Sequence, residues 1–351
     1  MAQFVLRDNI SHAVQDNISH AVQDDISHAG QNDVSHAGRD GIPNLVHFVY
    51  VLKDPKADFG FQFSDYLSIF AAKHYWAPQK IYLHTNALDG SITRARNGQA
   101  GKWSQLIFRI PGVVVNIVEA PTRTNTGTEI IHMAHRSDFV RVKAVRDFGG
   151  VYIDFDAHPL RDIKVLRESG FRAIGGRQKD GDVMSGTFMS AKGGKMIEQW
   201  TEQMHPAFDG KWATHSNQVI TKIGEKLIAE PGEMLIMERA AFGPLSWEDN
   251  DVAKLYDVHN DITSAIENLT QGDPLPVVDN NRPTWARDWS SSYILHAFKG
   301  SKKVYNIKGH KGITPRYILE RQSNFARAVY PIANVMYERG LISLNDTNTG
   351  K

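Results

Sequence analysis

Between Ile42 and Phe155 the chain alternates short apolar runs with segments of helical period, and this alternation limits its fold more than any other feature. Residues 42–52 (IPNLVHFVYVL) read as a buried first strand with Pro43 at its mouth. Residues 64–76 (SDYLSIFAAKHYW) put Tyr66, Leu67, Phe70, Ala71 and Tyr75 at helical spacing behind Ser64 as N-cap, and Pro78 and a strand KIYLHT (80–85) follow. Two further strands, VVVNIVEA (113–120) and VYIDF (151–155), bracket a helix from about His132 to Phe148, which Gly149 closes. Strand, helix, strand in repetition predicts an α/β fold with a largely parallel sheet. In such sheets ligands collect beyond the carboxyl ends of the strands.

The chemistry concentrates at one of those ends. In GGVYIDFDAHPL (149–160), Asp154 and Asp156 close an apolar run, and in extended backbone residues i and i+2 face the same way. Two like charges placed together are costly unless a cation neutralises them, and a hard divalent ion such as Mg²⁺ or Mn²⁺ suits a pair of carboxylates. Taken alone, the pair reads as two solvated loop aspartates. Asp138 and Arg141, spaced i and i+3 on the preceding helix, are by themselves an ordinary surface ion pair. Their helix, however, runs directly into Gly149, Gly150 and the acidic strand, so the pair can sit over the same cavity as Asp154.

The string HRSDFVRVKAVRDFGGVYIDFD (135–156) resembles the signature SDxxRxxxLxxxGGxYxDxD of the DxD-containing sugar transferases. That superfamily includes fungal initiating mannosyltransferases, bacterial capsule and polysaccharide transferases and the glucosylating domains of clostridial toxins. Ser137, Asp138, Arg141, Gly149, Gly150, Tyr152, Asp154 and Asp156 carry the match. IPNLVHFVY (42–50) is similar to the family's first strand, and FMSAKGG (188–194), FGPLSW (242–247) and SYILHAFKGS (292–301) follow as its later landmarks in order. Two places depart: Ser185, Gly186 and Thr187 stand where many members carry Asn, and Lys302 and Lys303 replace a usual Trp.

The resemblance implies a GT-A type domain, with a Rossmann-like nucleotide-binding half on a mixed, mainly parallel sheet and an acceptor-binding half. It implies a glycosyltransferase that takes a nucleotide-sugar donor, UDP-sugars ahead of GDP-sugars, retains anomeric configuration and passes the sugar to an unknown acceptor. Catalytic roles fall to Asp138, Arg141 and Asp154. Donor contacts extend to His47, Phe48, Val49, Tyr50, Tyr152, Lys299 and Lys302, and Asp154, Asp156 and His296 would ligate Mn²⁺ or Mg²⁺. On its own, His296 beside Ile294, Leu295 and Phe298 reads as a core histidine. Lys299, Lys302 and Lys303 read as a solvated face or as phosphate contacts. Trp285, Trp289 and Tyr293 read as core or as a sugar-stacking wall.

Outside this stretch stand four octads, DNISHAVQ (8–15), DNISHAVQ (16–23), DDISHAGQ (24–31) and NDVSHAGR (32–39). An eight-residue period turns equivalent helix positions by about 80° each time, so no apolar face persists. Residues 1–40 are therefore expected to form an exposed extension, in which His12, His20, His28 and His36 share no ligand geometry. Residues 41–335 form the glycosyltransferase domain, and 336–351 a polar C-terminal tail. The stretch 270–292, rich in Pro, Asp, Asn and Ser, reads as a functional loop. Forty Lys and Arg against 39 Asp and Glu argue against nucleic acid as a partner. Zero cysteines exclude disulfides, thiolate metal ligands and a cysteine nucleophile, which points to a reducing compartment. Without a signal-like N-terminus or an apolar run of membrane-spanning length, the chain reads as cytoplasmic. Two other readings remain: a metal-dependent phosphohydrolase, whose usual DxDxT or DxDxV departs from DFDAHP, and an inactive sugar- or nucleotide-binding effector.

Overall fold

The computed structural model describes residues 41–260, 266, 269, 273–275, 282–299 and 307–351. The octads, Lys302, Lys303 and part of the 270–292 stretch lie outside the described residues. Nine strands are assigned among the described residues: β1 (Leu45–Val49), β2 (Lys80–Thr85), β3 (Val113–Ile117), β4 (Gly150–Ile153), β5 (Ala157–Pro159), β6 (Ala173–Arg177), β7 (Val183–Ser190), β8 (Leu235–Met237) and β9 (Ile294–His296). Seven of them make one sheet in the order β3-β2-β1-β4-β7-β6-β8, while β5 and β9 pair as a separate ribbon. Within the sheet all pairings are parallel except the two made by β7. The expected α/β architecture with a mixed, mainly parallel sheet is the one observed.

Both faces of the sheet are covered, which is why its central strands read as unbroken apolar runs. Val46 and Phe48 of β1 enter a core with Leu67 and Phe70 of the Phe63–Trp76 helix and Val329 and Ile332 of the Asn324–Glu338 helix. Val49 enters a second core with Val140, Trp200 and Ile220. The first strand is shorter than its apolar run. The helix expected behind Ser64 begins at Phe63 with Gln62 as N-cap, whose N–H donates to Asp65 Oδ2 at 2.7 Å, and Ser64 lies buried inside the first turn. Two helices that the alternation does not announce, Asp89–Arg96 and Lys102–Arg109, fill the crossover from β2 to β3. Each is only eight residues long, too short for its apolar period to stand out.

Two features carry the chain from helix to site. The Met133–Phe148 helix ends at Gly149 (φ 69°), and Gly150 (φ 112°) follows, both in the left-handed region. A Cβ on Gly149 would lie 2.7 Å from the Lys192 nitrogen, and one on Gly150 2.5 Å from the Leu45 carbonyl oxygen, so conformation and room both require glycine. The C-terminal boundary expected at 335/336 needs correction, because it falls inside the Asn324–Glu338 helix, where Met336 is buried. Residues beyond it return to the body: Ile342 and Leu344 are buried, Lys102 pairs with Asp346 at 2.6 Å and Trp103 Nε1–H donates to the Thr347 carbonyl at 3.1 Å. Backbone acceptors add to these anchors, with the Asn348 carbonyl accepting Phe63 N–H at 2.9 Å and the Gly350 carbonyl accepting Lys102 N–H at 3.2 Å.

Candidate active site

Asp138 and Arg141 lie on the buried face of the Met133–Phe148 helix, so the pair is not surface decoration. Arg141 Nη2 is 3.0 Å from Asp138 Oδ1 and 3.4 Å from Asp154 Oδ1, and Nη1 donates to the Ser185 carbonyl at 3.0 Å. Its guanidinium stands 4.7 Å from the Tyr152 ring centroid. The other Asp138 oxygen, Oδ2, meets His215 Nε2 at 2.8 Å. His215 is fully buried, with its ring parallel to Phe139 and edge-on to Phe208 and His135.

Asp154 and Asp156 come together differently from the extended geometry expected. β4 stops at Ile153, and a tight turn closes with Ala157 N–H donating to the Asp154 carbonyl at 3.0 Å. Phe155 packs on Phe48, 5.0 Å between centroids. The Asp154 carboxylate accepts the Tyr152 hydroxyl. Burial raises the Asp154 pKa, but Arg141, His296 and Tyr152 outweigh it and hold the group below the usual carboxylate range. Asp156 Oδ2 accepts the Lys299 backbone N–H at 2.9 Å, and the Asp156 carbonyl accepts Ala297 N–H at 2.8 Å.

The β5–β9 ribbon pairs Ala157 with His296 and so delivers the histidine to the acidic turn. His296 Nε2 lies 3.7 Å from Asp154 Oδ2 and 3.6 Å from Asp156 Oδ1, and one ligand atom from each residue lies within 4.8 Å of the others. In an octahedral shell with bonds near 2.1 Å, adjacent donors stand about 3 Å apart and opposite ones about 4 Å; both His296 distances fall in that span, and a slight closing of the cluster would seat one divalent ion. Two carboxylates and an imidazole also suit Mn²⁺ chemically. Burial lowers the His296 pKa, but Asp156 and Asp154 raise it above its ordinary value overall, and metal binding there would displace that proton.

Gly186 explains one departure in sequence. A Cβ there would lie 2.7 Å from Asp154 Oδ2 and 2.8 Å from His296 Nε2, so a side chain would occupy the space of the cluster. An amide is present all the same: Asn217, at the start of the Asn217–Leu227 helix, accepts the Ser185 N–H on Oδ1 at 3.1 Å. Asp138, Arg141, Asp154, Asp156, Asn217 and His296 line one cavity of about 800 Å³.

Several expected donor contacts lie elsewhere. His47 is fully buried between the Gly149 carbonyl (2.8 Å) and His84 Nε2 (2.9 Å), and burial lowers its pKa to about 4. Phe48 and Val49 face the two cores, so none of these three side chains opens to the cavity. Tyr50 is half-buried against Phe59 and Phe61, with its hydroxyl accepting Gly60 N–H at 3.0 Å. Lys299 Nζ turns to Asp65 at 2.7 Å. Trp285 stacks on His259, Trp289 lies beneath Arg287, and Tyr293 is buried, so this trio forms no cavity wall. Trp212 and Trp247, exposed and without periodic neighbours in sequence to mark them, line the cavity instead.

Residues 92–172, which contain Asp138, Arg141, Asp154 and Asp156, match the family model described as the glycosyltransferase sugar-binding region containing the DXD motif. Glucan organizing enzyme 1 of Cryptococcus neoformans var. grubii is 23% identical over 303 residues, covering 83% of this chain and 70% of its own. Among solved structures, PaToxG glycosyltransferase aligns with TM-score 0.41 and 13% identity over 62% of this chain and 79% of that one. The apo form of GlyE, a Streptococcus pneumoniae TIGR4 glycosyltransferase, aligns with TM-score 0.40 and 12% identity over 85% of this chain and 64% of that one.

Proposed function

We propose, from the match of residues 92–172 to the DXD sugar-binding region of glycosyltransferases, that the chain moves a sugar from a nucleotide-sugar donor, UDP-sugars ahead of GDP-sugars, with a divalent ion. The observation that carries the reading is the convergence of Asp154, Asp156 and His296 within 4.8 Å of one another on the wall of the cavity that Asp138 and Arg141 share. A bound Mn²⁺ or Mg²⁺ would be held by these three residues and would neutralise the charge that develops on the departing diphosphate.

The chain's own residues do the rest. Asp138, with one oxygen held by His215 and the other by Arg141, lines the cavity and retains acceptor capacity for hydroxyls of the donor sugar. Arg141 spends its fork on Asp138, Asp154 and the Ser185 carbonyl. Its role is to hold the Asp154 carboxyl below its usual range and to align it with Asp138. Tyr152 fixes Asp154 from below, and the Lys299 backbone fixes Asp156. Of the four donor residues expected on the first strand, Tyr50 alone is not fully buried, which supports assigning it the nucleotide base.

Thermal shift of the full chain with UDP, GDP and their sugars, with and without Mn²⁺, tests the donor, since a ligand that binds only the native state raises its melting temperature. UDP is expected to raise it only with the ion present. Product analysis on the best donor then separates a new glycoside from free sugar, which a hydrolase alone would release. Binding of neither nucleotide with metal present would refute the reading.

A further inference from the structure

The chain contains seven tryptophans, and the two that stand exposed, Trp212 at 72% and Trp247 at 46%, both line the active-site cavity. An indole left in water at one site is unremarkable, but two on the rim of one cleft form a patch that a ligand would cover. Each is tied to the machinery behind it. Trp247 meets the Phe298 ring at 5.8 Å, and Phe298 in turn stands edge-on to His296 at 4.3 Å. Trp212 meets His135 at 5.6 Å, which touches His215 at 5.0 Å, the partner of Asp138. Phe298 has φ 48°, a left-handed backbone costly for a bulky residue, and this conformation sets its ring between His296 and Trp247.

The rest of the rim is polar. Gln178 Nε2–H donates to Asp180 Oδ2 at 3.1 Å, and Ser216 and Asn217 line the same cavity. Met184 is its one long aliphatic side chain, with Ala134 and Ala213 beside it. An acyl chain or an apolar peptide would call for an aliphatic groove. Flat aromatic faces beside amides, hydroxyls and a carboxylate suit a pyranose, whose C–H face is apolar and whose edge carries hydroxyls. The volume of about 800 Å³ lies in the upper range for small-molecule sites, so it leaves room beyond a donor sugar seated at Asp138.

We propose that the acceptor is a carbohydrate, held against Trp212 and Trp247 at the mouth of the cavity, with its hydroxyls directed to Gln178, Asp180 and Asn217. This rests on the glycosyltransferase reading for the word acceptor, while the sugar site itself can be measured without any donor.

The test is intrinsic tryptophan fluorescence and calorimetry on the full chain with neutral probes: cellotriose, laminaritriose, maltotriose, fully N-acetylated chitotriose and mannotriose. Saturable binding of at least one probe is expected, weakened tenfold or more in both Trp212→Ala and Trp247→Ala, with Trp247→Phe retaining most of it. Far-UV spectra of the variants check the fold, and both side chains are exposed enough for it to persist. No saturable binding by any probe, or binding that either alanine variant keeps, overturns the assignment. Binding of phosphatidylcholine vesicles or an unglycosylated peptide at this site in place of sugars overturns it as well. Manganese-dependent binding of UDP is scored separately, so loss of the donor reading and loss of the sugar site give different results.

Discussion

His215 Nε2 lies 2.8 Å from Asp138 Oδ2, and the imidazole that makes this contact is wholly enclosed. The hydrogen bond fixes the carboxylate rotamer, since Arg141 holds the other oxygen. His215 is thus a positioning residue. His215→Phe, which keeps the packing on Phe139 and Phe208, should lower kcat for the donor sugar by about 10–100-fold, the equivalent of a lost hydrogen bond to a charged group. Affinity for UDP with Mn²⁺ should stay within error, because the nucleotide lacks the sugar that Asp138 would hold. His215→Gln should recover part of the rate, whereas a purely structural role predicts loss of melting temperature without that recovery.

Arg141→Lys should fail nearly as badly as Arg141→Ala. The guanidinium serves Asp138, Asp154 and the Ser185 carbonyl at once, a geometry that an ammonium cannot reproduce. Activity should fall at least 100-fold, with some loss of stability from the buried carboxylates left unpaired. Retention of most of the rate by the lysine variant would return Arg141 to a packing role.

Removing the proposed metal ligands should separate binding from folding. Asp156→Ala is expected to abolish Mn²⁺-dependent UDP binding, and His296→Ala to weaken it less, since water can replace one of three ligands. Both should remain folded, because Asp154 keeps its own compensation from Arg141 and Tyr152. Calorimetric titration of Mn²⁺ in the presence of UDP reads this directly, and wild-type affinity in Asp156→Ala would contradict the assignment.

Gly186→Ala tests the closeness of the cluster. The new methyl would stand within 2.8 Å of Asp154 Oδ2 and His296 Nε2, so these groups must part. Metal affinity should drop tenfold or more while the melting temperature changes little, as the backbone of Gly186 is not left-handed.

Acid should weaken the fold through His47. Burial depresses its folded pKa from 6.5 to about 4, so between these values the unfolded chain binds the proton that the folded one refuses. Stability from this group is complete above about pH 6.5 and is lost as pH falls toward 4, to a limit of about 3 kcal/mol. Urea unfolding at intervals across that range should give a steeper decline for the wild type than for His47→Gln; equal slopes would refute the attribution.

The parts of this protein that follow from local pattern were legible in its sequence. β2 and the Met133–Phe148 helix fall where period and caps place them, and Asp138, Arg141, Asp154 and Asp156 share one cavity, although a turn after β4 rather than extended strand brings the two aspartates together. His215, Asn217, Trp212 and Trp247 were not legible, because a contact across 77 residues, as between His215 and Asp138, leaves no periodic trace. His47 misleads for a related reason. A histidine inside the first strand looks like a ligand contact until its partner on the neighbouring strand, His84, is seen.

The β5–β9 ribbon stands apart from the seven-stranded sheet and joins Ala157 to His296. That pairing closes a loop of well over a hundred residues, and closure over such a distance costs entropy before any contact repays it. An order of assembly is expected: the parallel core around β1, β2 and β4 forms while His296 is still remote, and this proposed third metal ligand docks afterward. During refolding, recovery of metal affinity should therefore lag recovery of helical ellipticity, and a chain arrested in between would carry the acidic turn without the ability to hold its ion.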